Sequence, residues 1–393
     1  MIYFARYAVV KLNFHLNPLL KMPSGIISIE YIPCKEEFMR KLSLLVVLTM
    51  ALAVPAYSQQ NAKKEAAMLL DNEKNSISVF QNTADSVVNV SNLRKSRGMF
   101  DMDATEIQAG MGSGLVWDTS GHIITNYHVV DGGDSFTVAF REDQKQYKAK
   151  LIGGDPKNDI AVLKLLELPK NLKPIIPGDS RTLLVGQKTL AIGNPLGLDH
   201  TLTTGSVSAL GRKIKGFGGV SINGMIQTDA SINPGNSGGA LLDSQGRLIG
   251  MNAMIYNAGG AGASAGLGFA IPVATIKDIV PQIIQYGRVI RPGLGVAILE
   301  DYYAARFGLR EGVMVKFVDP KGPAGKAGLQ GITRDRFGQY YIGDIIVGIN
   351  TDSIKNYDDL YSTVNKYKIG DKVKVKIVRD GKERTVDVTL VQI

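Results

Sequence analysis

The 393-residue chain is poor in the residues that most often carry site chemistry: one cysteine, four histidines, one tryptophan, and only 7% aromatics. Cys34 lies ahead of a segment that reads as a removable targeting signal, so the mature chain would hold no thiol. Disulfides, thiolate zinc sites and a cysteine nucleophile are thereby excluded, and no cysteine follows the signal to take a lipid. Beyond residue 58 only His122, His128 and His200 remain, so a histidine base must be one of three.

The signal consists of the basic start Met39-Arg40-Lys41, the apolar run Leu42–Val54 and the small-residue cleavage site Ala56-Tyr57-Ser58. The run is too short to span a bilayer comfortably, so residues 39–58 predict export to the periplasm and removal. Residues 1–38 then read as an over-extended frame ahead of a true start at Met39; the alternative is a cytoplasmic extension before a signal anchor. The net charge is +9, but of 45 bases and 36 acids six and three lie in residues 1–58, leaving 39 against 33, a net +6. The dense basic stretch Lys372–Ile377 alternates strictly, which puts its lysines on one solvated strand face, and no nucleic-acid partner is expected.

The abundance of glycine, 44 residues, favours short strands and tight turns. Residues 59–75 are Ala/Lys/Glu-rich and predict a helical or loose leader. From Ser76 short apolar runs separated by turn signals predict a mainly β unit over 76–287. Arg94–Met111 and Met254–Gly268 read as surface loops. Ile276, Ile279, Val280 and Ile283 predict a helix over Val273–Tyr286, ended by Gly287. Residues 288–393 read as a separate small α+β module. Its strands fall at Val313–Val318, Ile345–Ile349 and Val373–Val378, its helices around Ala324–Leu329 and Tyr357–Tyr367. An Asp380-Gly381 hairpin then leads into Thr385–Leu390.

Chemistry concentrates in Asn233-Pro234-Gly235-Asn236-Ser237-Gly238-Gly239. A serine hydroxyl attacks only when a base removes its proton and N–H groups receive the oxyanion. The flanking glycines let nearby amides converge, with Gly235 and Ser237 the natural donors and Asn236 between them in the same hole. His128 ends the apolar strand Ile123–Asn126, and Asp159 opens the strand Ile160–Leu163, where a carboxylate orients an imidazole. Asp155 and Asp229 compete for that role; Asp159 is preferred because it directly precedes its strand. His122 falls in a hairpin turn and His200 in a loop, both read as structural or surface residues. The order His, Asp, Ser, with gaps of 31 (128 to 159) and 78 (159 to 237), is that of chymotrypsin rather than of subtilisin or the α/β-hydrolases.

From Gly112 onward the chain resembles the HtrA/Deg family of serine proteases. Gly112-Ser113-Gly114, Thr125-Asn126-Tyr127-His128-Val129, Asp159-Ile160-Ala161-Val162 and Gly186-Gln187 match its motifs. So do Ala191–Pro195, Gln227–Ala230, Asn233–Gly239 and Gly268–Pro272. The single C-terminal module and Gly322–Leu329 look most like the one-PDZ chloroplast and cyanobacterial members. Ala240 departs from the proline common there.

The resemblance implies a chymotrypsin-like double β-barrel followed by a PDZ domain, and the position of Asp159 in the triad agrees with it. It also implies a primary specificity pocket of Ser231, Ile232, Ile255 and Tyr256, without an acid to pair with Lys or Arg. Small-to-medium aliphatic residues would fit such a pocket. Arg291, Gly293, Leu294, Gly295 and Val296 resemble the carboxylate loop of a PDZ domain, beside which a peptide C-terminus adds as a strand. The implied protein is an ATP-independent endopeptidase for misfolded chains, with no cofactor and no metal, assembled as a trimer or a multiple of trimers and regulated by its PDZ domain. The rival reading is a chaperone or peptide-binding protein whose protease domain is silent.

Overall fold

The computed structural model describes residues 68–96, 105–141, 143–195, 199–216, 220–253 and 267–393. The signal, residues 1–38 and most of the expected loop at Met254–Gly268 lie outside them. Helix α1 (Asp71–Thr83) comes first. The expected leader was to end at Asn75, yet the helix runs through Ser76 to Thr83. Its last turns are fixed because Val79 and Thr83 are buried. Lys188 anchors its other end: the ammonium donates to the Asn72 carbonyl (3.2 Å), Asn72 Oδ1 (2.6 Å), Asn75 Oδ1 (3.0 Å) and Ser76 Oγ (2.8 Å).

Strands β1 (Val87–Ser96), β2 (Thr105–Val116), β3 (His122–Thr125), β4 (Ser135–Phe140), β5 (Asp143–Asp155) and β6 (Ile160–Leu165) close one barrel in the order β1-β2-β3-β6-β5-β4. Strands β7 (Lys188–Gly193), β8 (Thr201–Lys215), β9 (Ser221–Thr228), β10 (Ala240–Leu242), β11 (Leu248–Ala253) and β12 (Gly268–Pro272) close a second, ordered β10-β11-β12-β9-β8-β7. The stretch Arg94–Met111, expected as a loop, is in its described part the outer end of the β1–β2 ladder. Arg94 pairs Ile107 and Lys95 pairs Glu106. Polar side chains hid this ladder because both of its faces are wet.

Several strands are apolar without a break because each of their faces meets a different core. On β6, Ala161, Leu163 and Leu165 fill the first barrel, whereas Ile160 and Val162 join the cluster between the barrels. On β3, Ile123 goes inward and Ile124 outward. On β11, Ile249 fills the second barrel while Leu248 and Met251 face the shared cluster. On β6 and β3 this is the period of two of a strand read against two apolar surroundings, and on β11 a bulge opposite Leu241 and Leu242 shifts the phase by one residue. Each such side chain contributes about 1.5–3 kcal/mol by leaving water.

After the short helix α2 (Tyr127–Val130), helix α3 (Val273–Tyr286) lays Val273, Ile276, Ile279, Val280 and Ile283 on the same shared cluster and ends at Gly287, as expected.

The C-terminal unit has its own core around Val313, Val315, Ile346, Leu360, Val373, Val375 and Val388. Its elements are β13 (Pro292–Gly293), β14 (Val296–Ile298), α4 (Asp301–Arg306), β15 (Val313–Val318), α5 (Pro323–Lys326), β16 (Thr333–Arg334), β17 (Tyr340–Tyr341), β18 (Ile345–Ile349), β19 (Asp352–Ser353), α6 (Tyr357–Val364), β20 (Lys372–Arg379), β21 (Lys382–Thr389) and β22 (Val391–Gln392). The main sheet runs β14-β15-β18-β20-β21, with β14 at one edge. On β20 the lysines are exposed while Val373, Val375 and Ile377 are buried, the alternation the sequence predicts. Helix α6 stops at Val364, three residues short of the expected end, where the Asn365 amide turns back to Thr363 and Tyr361. The fold class is the expected one: mainly β, two barrels, then a small α+β unit.

Candidate active site

Three elements bring the chemistry together. Strands β3 and β6 are neighbours, with Thr125 opposite Ala161, so the residues that follow β3 meet those that precede β6. Asn126 Nδ2 donates to the Asp159 carbonyl (3.0 Å), locking that junction. The Asp159 carboxylate then accepts twice from His128: Oδ1 from the backbone N–H (2.9 Å) and Oδ2 from Nδ1 of the ring (2.8 Å). A carboxylate facing Nδ1 only accepts, so Nδ1 carries the proton and Nε2 is the basic nitrogen. Asp159 is 3% exposed and has φ +55, a left-handed conformation that Asp tolerates better than most residues.

Ser237 comes from the second barrel and is 3% exposed. Its loop is pinned peptide by peptide. The Asn236 N–H donates to the Asn233 carbonyl (3.0 Å), the Gly239 N–H to the Asn236 carbonyl (2.9 Å), and the Gly238 N–H to the Asn252 carbonyl (2.9 Å). Asn236, counted with its neighbours as a possible oxyanion donor, is thus already committed. The amides of Gly235 and Ser237 donate to nothing among the described residues. Gly235 (φ +93) lies against Pro195 and Gly238 (φ +84) against the Ser113 carbonyl. A Cβ at either position would stand 2.3 Å and 2.0 Å from those neighbours, which neither site allows. The Ser237 hydroxyl is buried and makes no hydrogen bond.

His128, Gly235 and Ser237 line one cleft of about 310 Å³, together with Met111, Val129 and Pro234. The competing groups stand elsewhere. Asp229 Oδ1 accepts from the Ser206 N–H (2.6 Å), and Asp155 faces Arg291. His122 Nδ1 meets Asp118 Oδ2 at 2.6 Å. His200 Nε2 meets the Val87 carbonyl at 2.7 Å, and burial holds that imidazole below the usual histidine range. Of the expected specificity pocket, Ile232 is packed into the core of the second barrel and Ser231 is exposed; neither lines the cleft. Ile255 and Tyr256 lie outside the described residues.

In the C-terminal unit, Leu294 is buried and the amides of Leu294 and Gly295 donate to nothing described, at the mouth of edge strand β14. Gly293 pairs with Val391, and Val296 opens β14 opposite Val318. Arg291 leaves this expected loop: its guanidinium reaches the first barrel, Nη1 donating to Asp155 Oδ1 (2.9 Å) and Nη2 to Oδ2. Lys157, in the same barrel turn, sits 4.3 Å from the Tyr361 ring of α6 and 5.3 Å from that of Tyr357. Burial and the nearby Arg291 push the Lys157 ammonium down to about 8. The sequence reading missed both contacts, since nothing local marks residues 136 positions apart as partners.

The chain matches the model of the trypsin-like peptidase domain over residues 112–251 and that of the PDZ domain over residues 292–390. It is 47% identical to Protease Do-like 1, chloroplastic, of Arabidopsis thaliana, over 82% of this chain and 73% of that protein. Identity is 40% to a DegP-like "probable periplasmic serine endoprotease" of Marinomonas sp., over 72% of this chain and 57% of that protein. Among solved structures, the HtrA-type protease AlgW with a decapeptide superposes with a TM-score of 0.58 at 32% identity, covering 81% of this chain and 98% of the other. A serine endoprotease from Yersinia pestis gives 0.55 at 33%, with the same coverage. Two closed barrels with a histidine–aspartate pair beside a buried serine, continued by a PDZ unit, place this chain in the HtrA/Deg family of serine endopeptidases.

Proposed function

We propose that the protein is an exported, ATP-independent endopeptidase for misfolded or damaged proteins, working through His128, Asp159 and Ser237. The observation that carries the proposal is that His128, hydrogen-bonded twice to Asp159, shares a cleft with Ser237, whose amide and that of Gly235 are uncommitted. His128 Nε2 takes the Ser237 Oγ proton as the oxygen bonds to the scissile carbonyl carbon. The negative charge passes to the carbonyl oxygen, facing the amides of Gly235 and Ser237. His128 then protonates the leaving amine as the C–N bond breaks. Water, deprotonated by the same imidazole, releases the acyl group and restores Ser237.

Small-to-medium aliphatic residues before the scissile bond, with Ser231, Ile232, Ile255 and Tyr256 around them, follow from the family resemblance. Unfolding exposes such side chains, which native proteins bury. A peptide C-terminus would add beside β14, its carboxylate at the amides of Leu294 and Gly295, and the PDZ domain would regulate cleavage from there. Two contact points between that domain and the barrels support regulation: Arg291 with Asp155, and Asp358 with Ser221 (2.8 Å) and Lys213 (2.8 Å). The domain limits 76–287 and 288–393, the signal at 39–58, a periplasmic location and a trimeric assembly belong to the same proposal. Among the described residues no helix is long and apolar enough to cross a membrane.

The second reading, a peptide-binding protein with a silent protease domain, draws on one observation: the Ser237 hydroxyl makes no hydrogen bond. Incubating the chain from residue 59 with unfolded casein, beside Ser237→Ala, separates the two. Cleavage by the parent alone is the expected result. Intact casein in both, with PDZ-binding peptides present and across temperature, favours the silent domain.

A further inference from the structure

Ser113 belongs to a motif, Gly112-Ser113-Gly114, whose role the catalytic scheme above leaves open. It lies on β2 in the first barrel, is fully buried, and touches the nucleophile loop of the second barrel at two points. Its backbone N–H donates to the Ser237 carbonyl (2.8 Å). Its hydroxyl donates to the Gly235 carbonyl (2.7 Å) while accepting from the Asn194 N–H (2.8 Å). The direction of this relay is fixed by chemistry. A backbone N–H only donates, so the Asn194 bond occupies a lone pair of Ser113 Oγ, and the single hydroxyl hydrogen goes to Gly235. The Ser113 carbonyl also accepts from Thr125 Oγ1 (2.7 Å), three residues before His128.

The peptide between Gly235 and Asn236 is rigid and planar. Its oxygen is held by Ser113 and its N–H by the Asn233 carbonyl. The next peptide is held through the Asn236 carbonyl, and the one after it at both ends. Of these bonds, the Ser113 hydroxyl supplies the one that comes from a side chain. Without it the half-buried Gly235 carbonyl loses its donor and the peptide is held by its N–H alone, so it can turn toward another donor and carry the Gly235 and Ser237 amides out of convergence.

We propose that Ser113 is a positioning residue for the oxyanion hole: its hydroxyl sets the direction of the Gly235 and Ser237 amides from across the two-barrel interface. The proposal rests on the reading of Ser237 as nucleophile.

The test compares the full chain with Ser113→Ala and Ser113→Cys, whose thiol is a weaker donor. Readouts are kcat and KM on a casein-derived peptide, and the affinities of a peptide aldehyde and of the matching peptide amide. The aldehyde forms a tetrahedral adduct on the serine and fills the hole; the amide does not. For Ser113→Ala, kcat falls about 10- to 100-fold with KM within about two-fold, and the aldehyde weakens by the same factor while the amide is unchanged. Ser113→Cys falls between. The aldehyde-to-amide ratio does not depend on the fraction of protein that folds. The proposal is overturned if kcat in Ser113→Ala stays within about two-fold, or if aldehyde and amide weaken together. Ser237→Ala, run alongside, separates the premises: cleavage that survives it removes the nucleophile, and with it any oxyanion hole for Ser113 to position.

Discussion

Arg291 and Asp155 form a two-pronged ion pair between the start of the PDZ unit and the turn that carries Asp159, with the Asp155 side chain 1% exposed. The same carboxylate organises that turn by accepting from the Lys157 N–H (3.2 Å) and Asn158 Nδ2 (2.6 Å). Removing Arg291 leaves the buried Asp155 carboxylate without its counter-charge, and removing Asp155 leaves a half-buried guanidinium without one. Arg291→Ala or Asp155→Ala is expected to cost about 3–5 kcal/mol, whereas the double change to methionine costs less than either. Denaturant midpoints of the four proteins measure this. Additive losses would show that the two side chains do not interact.

Lys157 makes that junction pH-dependent. Its folded value of about 8 lies below the ordinary 10.5. Below pH 8 both folded and unfolded chains hold the proton, so the burial cost is present in full. Between pH 8 and 10.5 the folded form releases it while the unfolded form keeps it, and stability rises with pH. Lys157→Met should therefore melt higher than the parent at pH 7, with the gap closing across that window. A gap of constant size from pH 7 to 10.5 would rule out the titration.

Asp159→Asn keeps the size of the side chain but favours the wrong imidazole tautomer. A loss of about 10⁴-fold in kcat is expected, with an unchanged melting midpoint. Casein cleavage at the parent rate would move the orienting role away from Asp159.

Lys188 offers a test outside the cleft. Its three N–H donors are shared among four neutral acceptors of α1, and Lys188→Met is expected to cost about 1–3 kcal/mol. Hydrogen exchange in residues 71–83 should quicken while kcat stays unchanged. Unaltered exchange would mean that the buried Val79 and Thr83 hold the helix without Lys188.

Local chemistry was legible in the sequence; distant pairing was not. His128, Asp159 and Ser237 stood out because turn glycines, strand ends and a shortage of histidines left few alternatives; His128 and Ser237 line one cleft, and Asp159 is hydrogen-bonded to His128. The alternation in Lys372–Ile377 fixed both faces of β20. The outer end of the β1–β2 ladder was missed because its polar residues carry no apolar period, and the part of α1 beyond Asn75 because its burial depends on a barrel assembled later in the chain. Arg291 was misplaced for the same reason. An arginine beside a glycine-rich turn suits an anion, and only the fold reveals that the anion is Asp155.

The main sheet of the PDZ unit ends in two rims of opposite character, β21 and β14. On β21 the residues Lys382, Glu383, Arg384 and Asp387 set charges of both signs along the rim, which discourages a passing extended chain from pairing there. The rim at β14 is short and reads Val296-Ala297-Ile298, with no charge to repel a newcomer. In the catalytic half, each barrel closes on itself and offers no rim at all. Between the closed barrels and the charged rim of β21, the short β14 rim is the edge of the main PDZ sheet on which an extended chain meets no charge.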